Sequence, residues 1–286
     1  MCHEEMTGEK DSRRIGLYIH IPFCRSKCLY CDFNSFSGKE DLIEPYFQAV
    51  KKEIFKLSEA AREYSLKSVF FGGGTPSYVN PDYICSIMEL CRSAFNIEPD
   101  AEISLEANPG TVTFEKLCAY RSAGINRLSM GLQAWQDSLL KQMGRIHNAG
   151  EFVENFKAAI KAGFDNINVD LIFGLPNQDM DQWKETLENV LALKPRHISA
   201  YSLKIEEGTP FCRMVESGEI VPAEDELDRE MYHYAIERMA GDGLYLYEIS
   251  NFAQKGFECR NNMLYWKRGG YLGIGAGAHS YFKNTR

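Results

Sequence analysis

Apolar residues recur along this chain with two periods in turn, and the turn-taking predicts a regular order of strands and helices. Short apolar runs at 16–21 (GLYIHI), 68–71 (SVFF), 101–109, 126–133, 166–174 (NINVDLIFG) and 197–203 read as strands. Between them the apolar positions recur every three or four residues. Residues 40–64 place Ile43, Phe47, Val50, Ile54 and Leu57 on one helix face. Further helices are predicted at 81–95, 113–123, 136–142, 150–162, 180–193 and 225–240. Six strand–helix units in succession imply an α/β protein with parallel strands and outer crossover helices. A doubly wound sheet and a barrel both fit this pattern, though a complete barrel needs eight such units.

Chemistry at the strand ends favours the barrel. A cysteine-rich loop follows the first strand and GGGTP follows the second. Glu106, Gln133 and Asp170 sit at or near the ends of the next three. In parallel α/β folds the C-terminal strand ends carry the site. A partial (β/α)6 barrel over residues 15–241 is therefore expected, after a flexible N-terminus at 1–14. After residue 241 the rhythm changes. Residues 244–253 form another strand candidate, and 271–282 (YLGIGAGAHSYF) are apolar and glycine-rich. That C-terminal extension ends without an evident closing element. The longest irregular excursion is expected at 206–226.

Composition narrows the class. The chain has 286 residues, 44% hydrophobic and 25% charged, with a net charge of −8. That is ordinary globular composition, and the negative charge argues against a nucleic-acid binder. No apolar run is long enough for a transmembrane helix, and the polar start lacks the core of a signal peptide, so a cytoplasmic protein is expected.

Nine cysteines, an odd number in a chain of this size, argue against a disulfide framework. Cys2 is expected in the frayed terminus. Cys85, Cys91 and Cys118 fall on predicted helices and read as small core residues. Cys212 and Cys259 have no assignment from pattern alone. Cys24, Cys28 and Cys31 are different, because they fall in one loop with C-x3-C-x2-C spacing. Structural zinc and iron–sulfur sites are normally closed by four protein ligands. Three thiols leave one iron of a [4Fe–4S] cluster open to an outside ligand. A zinc site completed by His20 or Asp32 is the alternative.

These residues resemble the radical S-adenosylmethionine (SAM) superfamily, whose signature is C-x3-C-x2-C with an aromatic residue before the third cysteine, here Tyr30. The nearer resemblance is to oxygen-independent coproporphyrinogen III oxidases and the related HemW-type heme chaperones. It is carried by LYIHIPFCRSKCLYCDF, FFGGGTPS, EISLEANPG, NRLSMGLQ, NVDLIFGLP and YLGIGAGAHSYF, spread from residue 17 to residue 282. The resemblance implies a [4Fe–4S] cluster on Cys24, Cys28 and Cys31, with SAM closing the open iron. Tyr18, Gly73 and Glu106 match family positions around that SAM. Tyr30, Gly74, Thr75, Gln133, Arg145 and Asp170 match positions lining a second SAM site in the oxidase. The implied chemistry is reductive cleavage of SAM to methionine and a 5′-deoxyadenosyl radical.

Two functions then compete. The oxidase converts coproporphyrinogen III to protoporphyrinogen IX, whereas the chaperone binds heme and delivers it to client proteins. The oxidase motif usually gains a further cysteine two residues on, where this chain has Phe33, as the chaperone branch does. Heme or porphyrin, a client protein and an electron donor are the implied partners, with membrane contact only through a client. Two departures stand out. The chaperones carry H-N-x-x-Y-W, and here CRNNMLYW puts Asn261 where that histidine belongs. Cys259, Met263, His20, His147 and His279 are the substitutes within the sequence. The family also continues into a helical C-terminal domain beyond the length of this chain.

Overall fold

The computed structural model describes residues 13–286; Cys2 and the rest of the N-terminal segment lie outside the described residues. Six parallel strands follow one another: β1 (Arg14–Ile21), β2 (Ser65–Gly73), β3 (Asn96–Ala107), β4 (Arg127–Gln133), β5 (Asn166–Phe173) and β6 (His197–Ser202). Each pairs with the next, so spatial order equals sequence order. A doubly wound sheet reverses its strand order at a switch point. No reversal occurs here, which decides for a barrel that is left open.

The helices lie between these strands in the chain and after the last of them: α1 (Ile43–Ala60), α2 (Pro81–Ala94), α3 (Phe114–Ser122), α4 (Asp137–Gln142), α5 (Ala149–Lys161), α6 (Met180–Ala192), and beyond β6 α7 (Pro210–Glu216) and α8 (Asp225–Gly241). α1 starts at Ile43, after a 3-10 turn at Glu40–Leu42, because Pro45 is tolerated only in a first helical turn. Capping boxes at Asn148–Glu151 and Asp179–Gln182 fix the starts of α5 and α6.

Strand alternation divides the protein into two interiors. Leu105, Leu128, Met130, Val169, Leu171 and Ile198 face the helices and join one apolar core with Phe47, Ile54, Phe152 and Trp183. The residues between them, such as Ser104, Ser129, Asp170 and Ser199, line the inside of the barrel. Polar side chains therefore fill the barrel, and the apolar core lies outside it.

Several expectations need adjustment. The third strand begins five residues earlier than expected and runs through Pro99, with a break in its pairing to β2 between Leu66 and Ser68. Residues 244–253 form a hairpin of β7 (Tyr245–Leu246) and β8 (Asn251–Ala253), not one strand, because the Glu248 carboxylate accepts from Ser250 N at 3.1 Å and holds a turn. β8 adds to β6 antiparallel. The glycine-rich C-terminal stretch supplies β9 (Tyr271–Ile274), parallel to β1 on the opposite edge, after the short helix α9 (Arg260–Trp266). The extension thus contributes a strand to each side of the sheet. The 206–226 excursion contains α7, whose Phe211 packs with Leu139, Leu140, Met143, Leu29 and Tyr30 in a second, smaller core. Of the three helical cysteines, Cys91 is buried in the main core, while Cys85 and Cys118 are only partly covered.

Candidate functional site

The loop after β1 carries the three cysteines and is tied down along its length. Cys24 N donates to Phe36 O at 2.9 Å, and Phe36 N returns to Pro22 O at 2.7 Å. Leu29 N donates to Met143 O at 3.0 Å, and Leu29 O accepts from Phe211 N at 3.0 Å. The second core thereby holds the outer half of the loop. The Lys27 ammonium reaches the carbonyls of Phe33 at 2.8 Å and Ser35 at 3.2 Å and closes the loop on itself.

A cavity of about 380 Å³ opens beneath this loop at the C-terminal strand ends. Its walls include Cys24, Cys28, Cys31, Tyr30, Gly73, Gly74, Thr75, Glu106, Gln133, Arg145 and Asp170. Every residue matched in the sequence to a cluster or SAM position is among them except Tyr18. Tyr18 lies on a second cavity of about 360 Å³, with His20, Tyr265, Tyr271 and His279. Phe33, Gly73 and Glu106 border both cavities. The two sets of positions named in the sequence thus meet at a shared wall.

Gly74 explains how the second strand comes so near the cysteine loop. A Cβ there would lie 2.9 Å from Phe23 O, and the bare backbone lets Gly74 N bond Ile21 O at 2.9 Å. Thr75 N then bonds Phe23 O at 2.9 Å, and its hydroxyl reaches Cys24 Sγ at 3.4 Å. On the other side, the Arg145 guanidinium donates to Asn108 Oδ1 at 2.7 Å, Gly131 O at 2.6 Å and Cys28 Sγ at 3.4 Å. Among the described residues Arg145 forms no ion pair, and its guanidinium is buried. Gln133 ends β4 with φ of 71°, in the left-handed region, and its Oε1 is buried without a partner. Such strain in a non-glycine residue concentrates where structure serves a site.

Two carboxylates set the electrostatics. Glu106 Oε2 accepts from Gly73 N at 3.0 Å. Burial, followed by the nearby Asp170 charge, pushes the Glu106 carboxyl up to about 7. Asp170 accepts from Ser129 Oγ at 3.0 Å and Asn168 Nδ2 at 2.7 Å. Burial raises the Tyr18 and Tyr30 phenols above their ordinary range and pushes the Cys31 thiol up.

The zinc alternative finds no fourth ligand in His20. Its Nε2 donates to Asn34 O at 2.8 Å, which leaves Nδ1 to accept from Tyr18 OH at 3.1 Å. Among the described residues, no group of three or more His, Cys, Asp or Glu side chains converges closely enough to hold a single metal ion. A zinc ion with bonds of about 2.3 Å to sulfur demands such convergence.

A model of the radical SAM superfamily matches residues 18–190. A heme chaperone HemW of Bacillus subtilis is 37% identical over 94% of this chain and 71% of its own length. Another heme chaperone HemW, from Haemophilus influenzae, is 38% identical over 93% of this chain and 70% of its own. The chain belongs to the radical SAM superfamily, in its HemW family. A solved structure of Escherichia coli coproporphyrinogen III oxidase (HemN), described as a radical SAM enzyme, superposes with a TM-score of 0.82 at 25% identity. It is matched over 95% of this chain and 65% of its own. Radical SAM membership implies a [4Fe–4S] cluster and SAM.

Asn108, Ser129 and Tyr201 were not singled out in the sequence, yet they share the cavity wall. Ser129 and Tyr201 have the inward parity of their strands, a signal that period-two alternation carries. Asn108 stands in the turn after β3, where no periodicity operates. The side chains considered for heme separate by access. Asn261 is 3% exposed, and its side-chain Nδ2 donates to Tyr265 OH at 3.4 Å. Cys259 and His147 are buried as well, and burial beside Arg145 pushes His147 down to about 3. Met263 is partly covered, and His279 is exposed at the second cavity. Among the described residues, no helix is long and apolar enough to cross a membrane.

Proposed function

We propose that this chain binds heme and passes it to a client protein, with a [4Fe–4S] cluster held by Cys24, Cys28 and Cys31. The observation that carries this reading is the likeness to heme chaperones over more than nine-tenths of the chain. Phe33, 64% exposed where the oxidase motif has a further cysteine, agrees with it. When bound, the cluster supplies a transferable electron and an iron with room for the amino and carboxylate groups of SAM. Tyr18, Gly73 and Glu106 would hold that SAM at the wall between the cavities. Glu106 there would accept from an amine or a ribose hydroxyl. Tyr30, Gly74, Thr75, Gln133, Arg145 and Asp170 would line the neighbouring chamber. The electron donor and the client are separate proteins in this reading.

Heme titration of the anaerobically reconstituted chain, followed by visible spectra, is the test. Saturable uptake and transfer to an apo-hemoprotein are expected. No saturable uptake, together with SAM- and reductant-dependent formation of protoporphyrinogen IX from coproporphyrinogen III, would replace the carrier by the oxidase.

A further inference from the structure

Two side chains from opposite walls of the larger cavity donate to the cysteine sulfurs. Thr75 Oγ1 reaches Cys24 Sγ at 3.4 Å, and Arg145 Nη1 reaches Cys28 Sγ at 3.4 Å. Each donor is placed by bonds of its own. Thr75 is 7% exposed and anchored through its backbone to Phe23 O at 2.9 Å. Arg145 is clamped by Asn108 Oδ1 at 2.7 Å and Gly131 O at 2.6 Å, and its backbone N bonds Leu140 O at 2.9 Å. The two donors differ in kind, since one is a neutral hydroxyl and the other a cation that stays charged at any working pH. Cys31 is served from within its own loop, by Ser35 and the Phe33 backbone.

We infer that Arg145 and Thr75 are positioning residues that set the reduction potential of the cluster. This rests on the reading that the three cysteines hold it. The step concerned is a one-electron transfer: a low-potential donor loses one electron and the oxidised cluster gains it, with no bond or proton moved. The added negative charge spreads over the irons and sulfurs. Hydrogen bonds to sulfur and a fixed nearby cation stabilise the reduced state more than the oxidised one. Arg145 therefore has the larger effect and Thr75 the smaller. In this chain Arg145 acts on the cluster through Cys28, in addition to lining the cavity.

The test is an EPR-monitored redox titration of the reconstituted full chain, poised with dithionite and mediators, without SAM or heme. In Arg145→Gln the oxidised-to-reduced ratio at a fixed poise is expected to rise about tenfold, which for one electron is a fall of about 59 mV. Thr75→Val should raise the ratio about threefold, and Thr75→Ser should restore it, because only the hydroxyl is at issue. A sample with no four-iron signature in the unmutated chain refutes the site reading itself. Full iron and sulfide loading with ratios within about twofold of the parent in both variants overturns the inference. Should Arg145→Gln not load iron, Thr75→Val and its serine rescue decide alone.

Discussion

The two ends of the barrel are lined by the same kinds of residue and use them in opposite ways. At the lower end the polar groups are largely one another's partners. His197 Nδ1 donates to Asn168 Oδ1 at 2.6 Å, and its Nε2 accepts from Tyr247 OH at 2.8 Å. Glu102 Oε1 accepts from Arg260 N at 3.0 Å and from Cys259 Sγ at 3.5 Å, and Oε2 stands 4.0 Å from Arg127 Nε. This answers the open question over Cys259, which helps to fasten α9 to the barrel floor. At the upper end Glu106, Asp170, Arg145 and the three thiols share a cavity wall. The same inward parity thus builds a structural plug at one end and an open site at the other. The C-terminal extension closes over the lower end through α9, while the walls of the larger upper cavity come from residues that precede it.

If that contrast is right, losses at the upper end should spare the fold. Cys24→Ala, Cys28→Ala and Cys31→Ala should each abolish the brown iron–sulfur absorption, the largest effect expected. Their thermal unfolding should stay within a few degrees of the parent, since none of the three belongs to either apolar core cluster. Unfolding of the apo-protein for all three variants would break the comparison. The lower end should answer in the opposite sense. Glu102→Gln leaves the Arg127 cation buried without its counter-charge and weakens the cap on α9. Urea unfolding should show a loss of about 3–5 kcal/mol. Iron uptake by the protein that remains folded should match the parent.

Much of this division was legible in the sequence, and the exceptions have physical causes. Short apolar runs identified the six strands, and C-x3-C-x2-C with the chemistry of the strand ends pointed to the upper end of the barrel. Strand order is not written in the pattern; the strand-end chemistry favoured the barrel over a doubly wound sheet, and the pairing of β1–β6 in succession bears that out. Tyr18 on β1 and Glu106 on β3 lie on either side of β2, yet Tyr18 opens on the second cavity because Phe33 and Gly73 stand between the chambers. Asn108 escaped notice because its role is to receive Arg145, a partner 37 residues away. His147 and Cys259 looked available for heme because sequence does not report burial. Glu102 lies four positions before Glu106 on β3 and Arg127 six before Gln133 on β4, and only the packing of α9 gives them their task.

The smallest expected effect tests the upper end by pH. Glu106 has its carboxyl raised from 4.5 to about 7 by burial and by Asp170. The folded state therefore holds this proton more tightly than the unfolded chain does. Its contribution to stability is fully present below pH 4.5 and is lost as pH climbs through about 7. Binding of a cationic ligand should run the other way, because only the carboxylate attracts it. The affinity of the reconstituted chain for SAM, measured calorimetrically between pH 6 and pH 8, should rise by up to about tenfold. Glu106→Gln should flatten the profile and slightly raise urea stability at pH 8, where the buried charge is gone. An unchanged pH profile in that variant would place the titrating group elsewhere, with Asp170 on the same wall as the next carboxylate to replace.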